Sequence, residues 1–193
     1  MDLRNQMKKE DLLEMIASWE NLNLFSRHMT DHPDGLRLLA EVAFDDSKQE
    51  FWRAAWVLDK INTAHPELIK PYLPSLFKAL RKTGNYSKMR HFLRIITYHP
   101  IPVRQRGFLF DYCLNTFTGQ SLPVAVRAHA LQIVYNLTQD EPGLRPELIH
   151  ILEHESVLQE SAGIRARVRN LLSSLYRDEK NPLKPAGKRQ EQR

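Results

Sequence analysis

The pattern that decides the fold lies in residues 126–137, which read VRAHALQIVYNL. Its apolar residues are Val126, Ala130, Ile133, Val134 and Leu137, and their spacing places them on one face of an α-helix. The same face returns at steps of 38 residues in both directions along the chain. Four copies share sixteen core positions, of which all but His99 are apolar: Ala54, Val57, Leu58, Ile61, Phe92, Ile95, Ile96, His99, Ala130, Ile133, Val134, Leu137, Val168, Leu171, Leu172 and Leu175.

A repeat near 38 residues is typical of a solenoid, in which each unit is a pair of helices that buries its apolar face against neighbouring units. No segment alternates apolar and polar residues as a half-buried strand does. The sequence therefore predicts an all-α superhelix of about four helical pairs plus an N-terminal capping helix or pair, which begins with a helix over 7–20 and continues through Phe25 and Met29. We expect residues 1–179 to form this single domain and residues 180–193 to be a disordered basic tail.

Several helix boundaries can be placed from single residues. Pro71 and Pro74 interrupt the first helix of the second repeat, which is therefore predicted to be kinked or to start late. Side chains that accept hydrogen bonds from free backbone N–H groups begin helices. On this ground Asp46 or Ser47 is predicted to cap the helix that contains Phe51, and Ser87 the helix that follows it.

Two of the repeats share a local motif. Val126-Arg127 and Ile164-Arg165 are each followed, after two further residues, by a small or apolar residue. This motif resembles the start of the second helix in a repeat of the HEAT/armadillo type. The resemblance covers residues 32–176 and implies a right-handed α–α superhelix, a HEAT-like solenoid. Such arrays serve as scaffolds, transport receptors and nucleic-acid binders, and occasionally as enzymes, so the resemblance implies a fold more than a function.

Arginine also recurs, at Arg53, Arg90, Arg127 and Arg165, but not in one register. The apolar register places Phe51 and Met89 where the last two copies have their arginines. One residue is about 100° around a helix, so the four side chains cannot form a straight row. Burial holds a stack together, so we follow the apolar register and expect no continuous arginine ladder.

Composition limits the class of protein. The chain has 193 residues, a net charge of +5 and one cysteine, which excludes an intrachain disulfide and fits a reducing cytoplasm, the predicted location. No apolar run approaches the roughly 20 residues that cross a bilayer. The charged residues 1–14 lack the apolar core of a secretory signal. We therefore expect no membrane partner.

The basic residues are concentrated in the middle of the chain. Residues 68–110 contain nine basic and no acidic side chains. This segment could face phosphate groups or an acidic protein surface, and its interleaved tyrosines could stack on bases. The alternative is that neighbouring repeats supply carboxylates, or that the charges simply face solvent. The nine residues are Lys70, Lys78, Arg81, Lys82, Lys88, Arg90, Arg94, Arg104 and Arg106.

Residues 150–154 read HILEH and match the H-x-x-E-H pattern of a zinc protease family. The spacing of His150 and His154 suits metal binding, but no third ligand stands in a supporting context, so we expect a surface histidine pair. Cys113 lies on an apolar face and is predicted to be a buried thiol. Trp52 and Trp56 share one side of a helix, where they either pack within the stack or anchor a partner.

The sequence favours a non-enzymatic scaffold that mediates protein–protein interaction through an exposed curved face. The alternative is a nucleic-acid-binding protein that uses the basic segment 70–106 and resembles, in outline, the helical-repeat DNA glycosylases, without their base excision. We predict no catalytic residue, no metal site and no cofactor. The candidate binding residues are Arg90, Arg94, Arg104, Arg106, Arg127, Arg165, Trp52 and Trp56.

Overall fold

The structure is a computed structural model that describes residues 9–17, 33–158 and 161–180. These residues contain α-helices and short 3-10 turns but no strand. The helices are α1 (Lys9–Ala17), α2 (Pro33–Phe44), α3 (Trp52–Ala64), α4 (Pro66–Ile69), α5 (Leu73–Leu80), α6 (Tyr86–Ile96), α7 (Val103–Thr118), α8 (Val124–Asp140), α9 (Arg145–Leu158) and α10 (Ala162–Lys180).

The helices form four consecutive pairs. The first helices of the pairs are α2, the interrupted helix α4–α5, α7 and α9, and the second helices are α3, α6, α8 and α10. Helix α1 packs against α2 and α3 at the start of the stack. The predicted all-α, HEAT-like solenoid is confirmed. The predicted helix around Phe25 and Met29 and the predicted tail after Lys180 lie outside the described residues.

The two layers of helices are packed differently. Consecutive second helices contact one another directly along the whole stack, whereas contacts between consecutive first helices are sparse. In a curved two-layer stack the more closely spaced layer lies on the concave side. The second helices therefore form the inner layer.

The 38-residue pattern corresponds to the core. Its apolar positions in α3, α6 and α8 are all buried. In α10 two of the four, Leu171 and Leu172, are only half-buried, because no described helix follows α10 and covers that side. The polar exception, His99, is half-buried and bonds through Nε2 to Oδ1 of the buried Asn62, 2.6 Å away, in the preceding repeat.

Lys88 occupies a core position. It lies one turn before Phe92, at the place where the third and fourth repeats have Val126 and Ile164, and it is 0% exposed. Its Nζ donates to Oδ1 of Asp46 at 2.8 Å and to the backbone carbonyl of Asp45. Lys88 therefore follows the alternative prediction, in which a neighbouring repeat supplies the carboxylate, and it does not contribute to a basic surface.

Two predicted helix caps were wrong. The N-cap of α6 is Asn85, whose Oδ1 accepts hydrogen bonds from the backbone N–H groups of Ser87 and Lys88 at 3.0 and 3.2 Å. Before α3, Asp46 pairs with Lys88 instead of capping, and a 3-10 turn, Gln49–Phe51, leads into the helix without a side-chain cap. The predicted interruption at Pro71 and Pro74 is confirmed by the 3-10 turn Lys70–Tyr72 between α4 and α5.

Candidate binding face

Each second helix has two residues, four positions apart, that lie nearly opposite the buried residue midway between them. In α6 these are Arg90 and Arg94, which lie about 160° on either side of the buried Phe92. The 38-residue step gives the equivalent residues of the other second helices. We call the resulting surface the inner face, and its residues are Trp52 and Trp56 on α3, Arg90 and Arg94 on α6, Ala128 and Gln132 on α8, and Ala166 and Asn170 on α10.

Polar side chains link neighbouring second helices at this face. Asp59 of α3 is 2% exposed, and its Oδ2 contacts Nη1 of Arg94 at 2.8 Å and Nδ1 of His91 at 2.9 Å. Arg94 also donates to the hydroxyl of Tyr98, 3.3 Å away. The ring of Trp52 stacks on that of His91, with 6.5 Å between centroids. These contacts hold α3 and α6 in one arrangement.

A second link joins α8 and α10. Nη2 of Arg167 donates to Oε1 of Gln132 at 2.6 Å, and the amide of Gln132 donates onward to Asn136. Both links join residues 35 positions apart, but they use different positions of the repeat, because the 38-residue step makes Gln132 the equivalent of Arg94 and Arg167 the equivalent of His91. The acceptor in α3 is charged, whereas the acceptor in α8 is neutral, so Gln132 does not compensate the charge of Arg167.

His129 lies between the two links. Burial lowers its pKa to about 4, and the positive charges of Arg167, Arg94 and Arg90 act in the same direction, against the opposing charge of Asp59. Three arginines from α6 and α10 therefore lie close to one histidine of α8. At neutral pH this histidine is therefore uncharged.

Charge is sorted by layer of the fold. The four second helices contain eleven basic and four acidic residues. The first helices, including the 3-10 turn between α4 and α5, contain six basic and seven acidic residues. The inner layer therefore has a basic excess of seven, whereas the outer layer is close to neutral.

Only part of this excess is compensated within the stack. Lys88 and Arg94 form ion pairs, as described above. Within residues 9–17, 33–158 and 161–180, no carboxylate pairs with Lys60, Arg90 or Arg167. Lys60 instead lies over the ring of Trp56, 5.2 Å from its centroid. The inner layer thus has uncompensated cations on α3, α6 and α10.

Four of the eight residues predicted from the sequence come together on the inner face. Arg90 is exposed, and Arg94, Trp52 and Trp56 are half-buried beside it. Sequence reasoning missed their partners Asp59, His129, Gln132 and Arg167. A signal was available for two of them, because His129 and Arg167 occupy one row with Arg53 and His91 at the same 38-residue step.

The other four predicted residues lie elsewhere. Arg104 is exposed on α7, in the outer layer. Arg106 of the same helix pairs with Asp140, at 3.4 Å, and with Glu141. Arg127 is buried, and its Nε donates to the carbonyl of Phe117 at 2.8 Å, which ties α8 to α7. Arg165 is half-buried in the first turn of α10.

The basic segment 70–106 does not form one patch. The outer layer contains Lys70, Lys78 and Arg104, and Arg81 and Lys82 follow directly after α5. Only Arg90 and Arg94 reach the inner face. Arg81 bonds to Gln105 at 3.1 Å and lies over the ring of Phe108. The contiguous run of charges in the sequence is divided between both layers because the chain passes from one layer to the other within it.

The histidine motif and Cys113 belong to first helices, in the outer layer. His150 and His154 are exposed beside a cleft of about 420 Å³ that Asn115, Thr118 and Glu155 also line. The described residues contain no group of three or more His, Cys, Asp or Glu side chains that could hold a metal ion. Cys113 is buried as predicted, and burial raises the pKa of its thiol. None of the described helices is long and apolar enough to cross a membrane.

The fold and the inner face define a curved helical-repeat protein. Comparison with protein families gives the same result, since the model of the HEAT repeat domain matches residues 8–175. The chain belongs to the HEAT repeat family. No match was found among curated proteins or among solved structures.

Proposed function

We propose that this protein is a non-enzymatic interaction module that binds a partner protein on its inner face. The observation that carries the proposal is the basic excess of the inner layer together with its uncompensated cations Lys60, Arg90 and Arg167. Aromatic and arginine side chains at adjacent equivalent positions suit a protein partner, because these residue types dominate binding energy at protein interfaces. HEAT repeats form extended concave surfaces of this kind.

The inner face is also rigid enough to present these residues in fixed positions. The links from Asp59 to Arg94 and from Gln132 to Arg167 cross two of the three contacts between second helices. A preorganised surface binds with a smaller loss of conformational entropy than a flexible one. The predicted residues Arg104 and Arg106 are not part of this proposal, since they belong to the outer layer.

Site-specific photo-crosslinking tests this function. A photoreactive phenylalanine derivative replaces the exposed Asn170 on the inner face in one version of the protein and the exposed Lys78 of the outer layer in another. We expect a defined protein adduct from position 170 in living cells and none from position 78. Adducts that form only from position 78 would overturn the proposal.

Nucleic-acid binding is the second candidate, and the same basic layer supports it. A nucleic acid presents one phosphate charge per roughly 1.7 Å of duplex axis, whereas Lys60, Arg90 and Arg167 stand on three of the four second helices, whose neighbouring axes are about 8–10 Å apart. This low density favours a protein over a duplex. Salt titration of binding to DNA and RNA discriminates the two, because phosphate contacts give a slope of nearly one per contact in a plot of log affinity against log salt.

A further inference from the structure

The inner-face residues of α3 and α6 differ in kind from those of α8 and α10. When the residue one turn further on is included, α3 and α6 have only aromatic or cationic side chains here. We call these six residues the aromatic–cationic patch: Trp52, Trp56 and Lys60 on α3, and Arg90, Arg94 and Tyr98 on α6 and the turn that follows it. The equivalent six residues of α8 and α10 are neither charged nor aromatic: Ala128, Gln132, Asn136, Ala166, Asn170 and Ser174.

Contacts between α3 and α6 hold the two halves of the patch side by side. The ring of Trp52 is parallel to that of His91 within 8°, with 6.5 Å between the centroids. Two turns further along α3, the Oδ2 atom of Asp59 lies 2.8 Å from Nη1 of Arg94. The patch is therefore one continuous surface that crosses the boundary between the first two repeats.

The two uncompensated cations of the patch lie toward its opposite ends. Arg90 directly precedes His91, whose ring stacks on Trp52 at the start of α3. Lys60 is eight residues after Trp52, more than two helical turns further along. Both cations are exposed, and neither has an ion pair with a carboxylate in the part of the chain that the structure describes. The third cation of the patch is already paired with the buried Asp59.

We propose that the aromatic–cationic patch is the main contact with the partner protein, and that it binds a segment in which an apolar side chain has acidic residues on both sides. The apolar side chain packs against the indoles of Trp52 and Trp56, and the carboxylates pair with Arg90 and Lys60. The partner also covers the uncharged positions of α8 and α10, which contribute little binding energy. This inference rests on the proposed function and adds the position and chemistry of the main contact.

The indole rings suit an apolar side chain better than a nucleic-acid base. One face of each indole is already covered, because His91 stacks on Trp52 and Lys60 lies over Trp56, 5.2 Å from its centroid. Bases bind by stacking on ring faces, whereas aliphatic side chains also pack against ring edges. Tryptophan and arginine are also the residues on which the affinity of protein interfaces most often depends.

The first test uses the full chain and three fluorescein-labelled Gly-Ser peptides. The first peptide has a Leu with two Glu residues on each side, the second has Gln in place of every Glu, and the third has Ser in place of Leu. Fluorescence anisotropy and NMR titration measure binding. We expect the first peptide to bind about 5-fold more tightly than either of the others, since one exposed ion pair accounts for up to that factor.

The same titration reports where the peptide binds. The indole N–H signals of Trp52 and Trp56 should shift as the first peptide is added. Binding that leaves both signals unchanged would overturn the position of the contact. Equal affinity of the first and second peptides would overturn its acidic component, and equal affinity of the first and third its apolar component.

Charge variants of the protein identify the two cations. R90E and K60E should each weaken binding of the first peptide by about 5-fold or more, because each replaces an ion pair with repulsion. R104E is the matched control, since it makes the same charge change on an exposed residue of the outer layer and should leave the affinity unchanged. Affinities that are equal in R90E, K60E and R104E would contradict the proposed pairs.

A second pair of variants compares the two halves of the inner face. Trp56→Leu should weaken binding of the first peptide by about 10-fold, which is a typical effect at an aromatic residue on which an interface depends. Asn170→Ala changes the equivalent position of α10 and should alter the affinity by less than about 2-fold. Thermal unfolding reports whether the half-buried Trp56→Leu keeps the fold, and the exposed K60E and R90E test the same patch independently.

Two outcomes separate this inference from the function on which it rests. If K60E and R90E leave the yield of protein adducts from position 170 in cells unchanged, the patch is not the main contact and the interaction module stands. If a single-stranded oligothymidylate binds more tightly than the first peptide and K60E and R90E weaken its binding equally, the partner is a nucleic acid and both proposals are overturned.

Discussion

Lys88 shows how a single side chain departs from its repeat. It occupies the core position at which the third and fourth repeats have Val126 and Ile164. Its ammonium group donates hydrogen bonds to Asp46 and to the Asp45 carbonyl, across the boundary between repeats. A buried charge is tolerated only while its partner is present. The pair therefore makes the first two repeats depend on each other in a way that apolar contacts do not.

Asp46→Asn should lower the free energy of unfolding by about 2 kcal/mol, because it leaves the buried ammonium of Lys88 without a counter-charge while the Asp45 carbonyl still accepts one bond. Lys88→Met removes the charge and keeps the volume, so it should lower the free energy of unfolding by less than Asp46→Asn does. Urea unfolding of the two single variants and the double variant measures the coupling. Additive effects of the two substitutions would show that the pair contributes nothing.

His129 makes stability depend on pH. Its pKa is about 4 in the folded protein and has its ordinary value of 6.5 in the unfolded chain. Between these values the unfolded chain binds the extra proton and the folded protein does not, so stability rises with pH across this window and is lost as the pH falls through it. We expect His129→Gln to reduce the decrease in Tm between pH 7 and pH 4.5.

Two other histidines of the chain serve as controls for this measurement of Tm against pH. His99 also has a lowered pKa, from burial first and from the charge of Lys70 second, so its contribution remains in His129→Gln and the pH dependence should shrink without vanishing. His150→Gln changes an exposed residue and should leave the pH profile of Tm unaltered. A profile of His129→Gln identical to that of the unmodified protein would contradict the prediction.

At the scale of single helices, α6 begins through Asn85 and not through Ser87. The Asn85 side chain accepts two backbone hydrogen bonds of the first turn and also donates to the Gln49 carbonyl at 3.2 Å, in the preceding repeat. From sequence alone both residues are good caps that stand two positions apart, so their hydrogen-bonding preference cannot separate them. Which of the two residues caps the helix depends on where the preceding turn positions the backbone.

Asn85→Ala should destabilise the protein by about 1 kcal/mol, which is the usual effect of removing an N-cap. Ser87→Ala, at an exposed position inside the first turn, is the matched control and should change stability by less than about 0.5 kcal/mol. Chemical denaturation of both variants under one set of conditions checks the prediction. A larger effect of Ser87→Ala than of Asn85→Ala would contradict the observed cap.

At the scale of the whole molecule, the last of the described helical pairs has the fewest contacts with the rest of the stack. Helix α9 has few contacts with α8, and α10 packs on α8 from one side only, with Leu171 and Leu172 half-buried. In a solenoid each repeat is stabilised by its own helices and its nearest neighbours, so a repeat with one described neighbour opens more easily. This difference is visible in amide exchange.

Hydrogen exchange followed by mass spectrometry should show faster exchange in peptides from α9 and α10 than in peptides from α6 and α8. Leu137→Ala, in the middle of the stack, should lower stability by about 3 kcal/mol and accelerate exchange throughout. Leu172→Ala, at the partly open end, should accelerate exchange mainly in the last pair. Uniform exchange rates along the stack would argue against independent opening of the last pair.

The sequence predicts the fold because the repeat consists of apolar residues that must be buried, such as Ile95 and Ile133. It predicts the binding face less well. Contacts such as Asp59 with Arg94 join residues from different repeats, so neither partner is recognisable until the helices are paired. The basic segment misleads for the same reason, since neighbours in sequence such as Lys82 and Arg90 belong to different layers.

The separation of charge between the two layers gives the stack of described helices an electric dipole across its thickness. Its positive end points out of the concave side, where the second helices have seven more basic than acidic residues. An anionic partner approaching within a Debye length, about 8 Å at physiological salt, would experience a torque that turns this side toward it. The molecule is thus oriented before any contact forms, and the resulting gain in association rate should decline as salt is added.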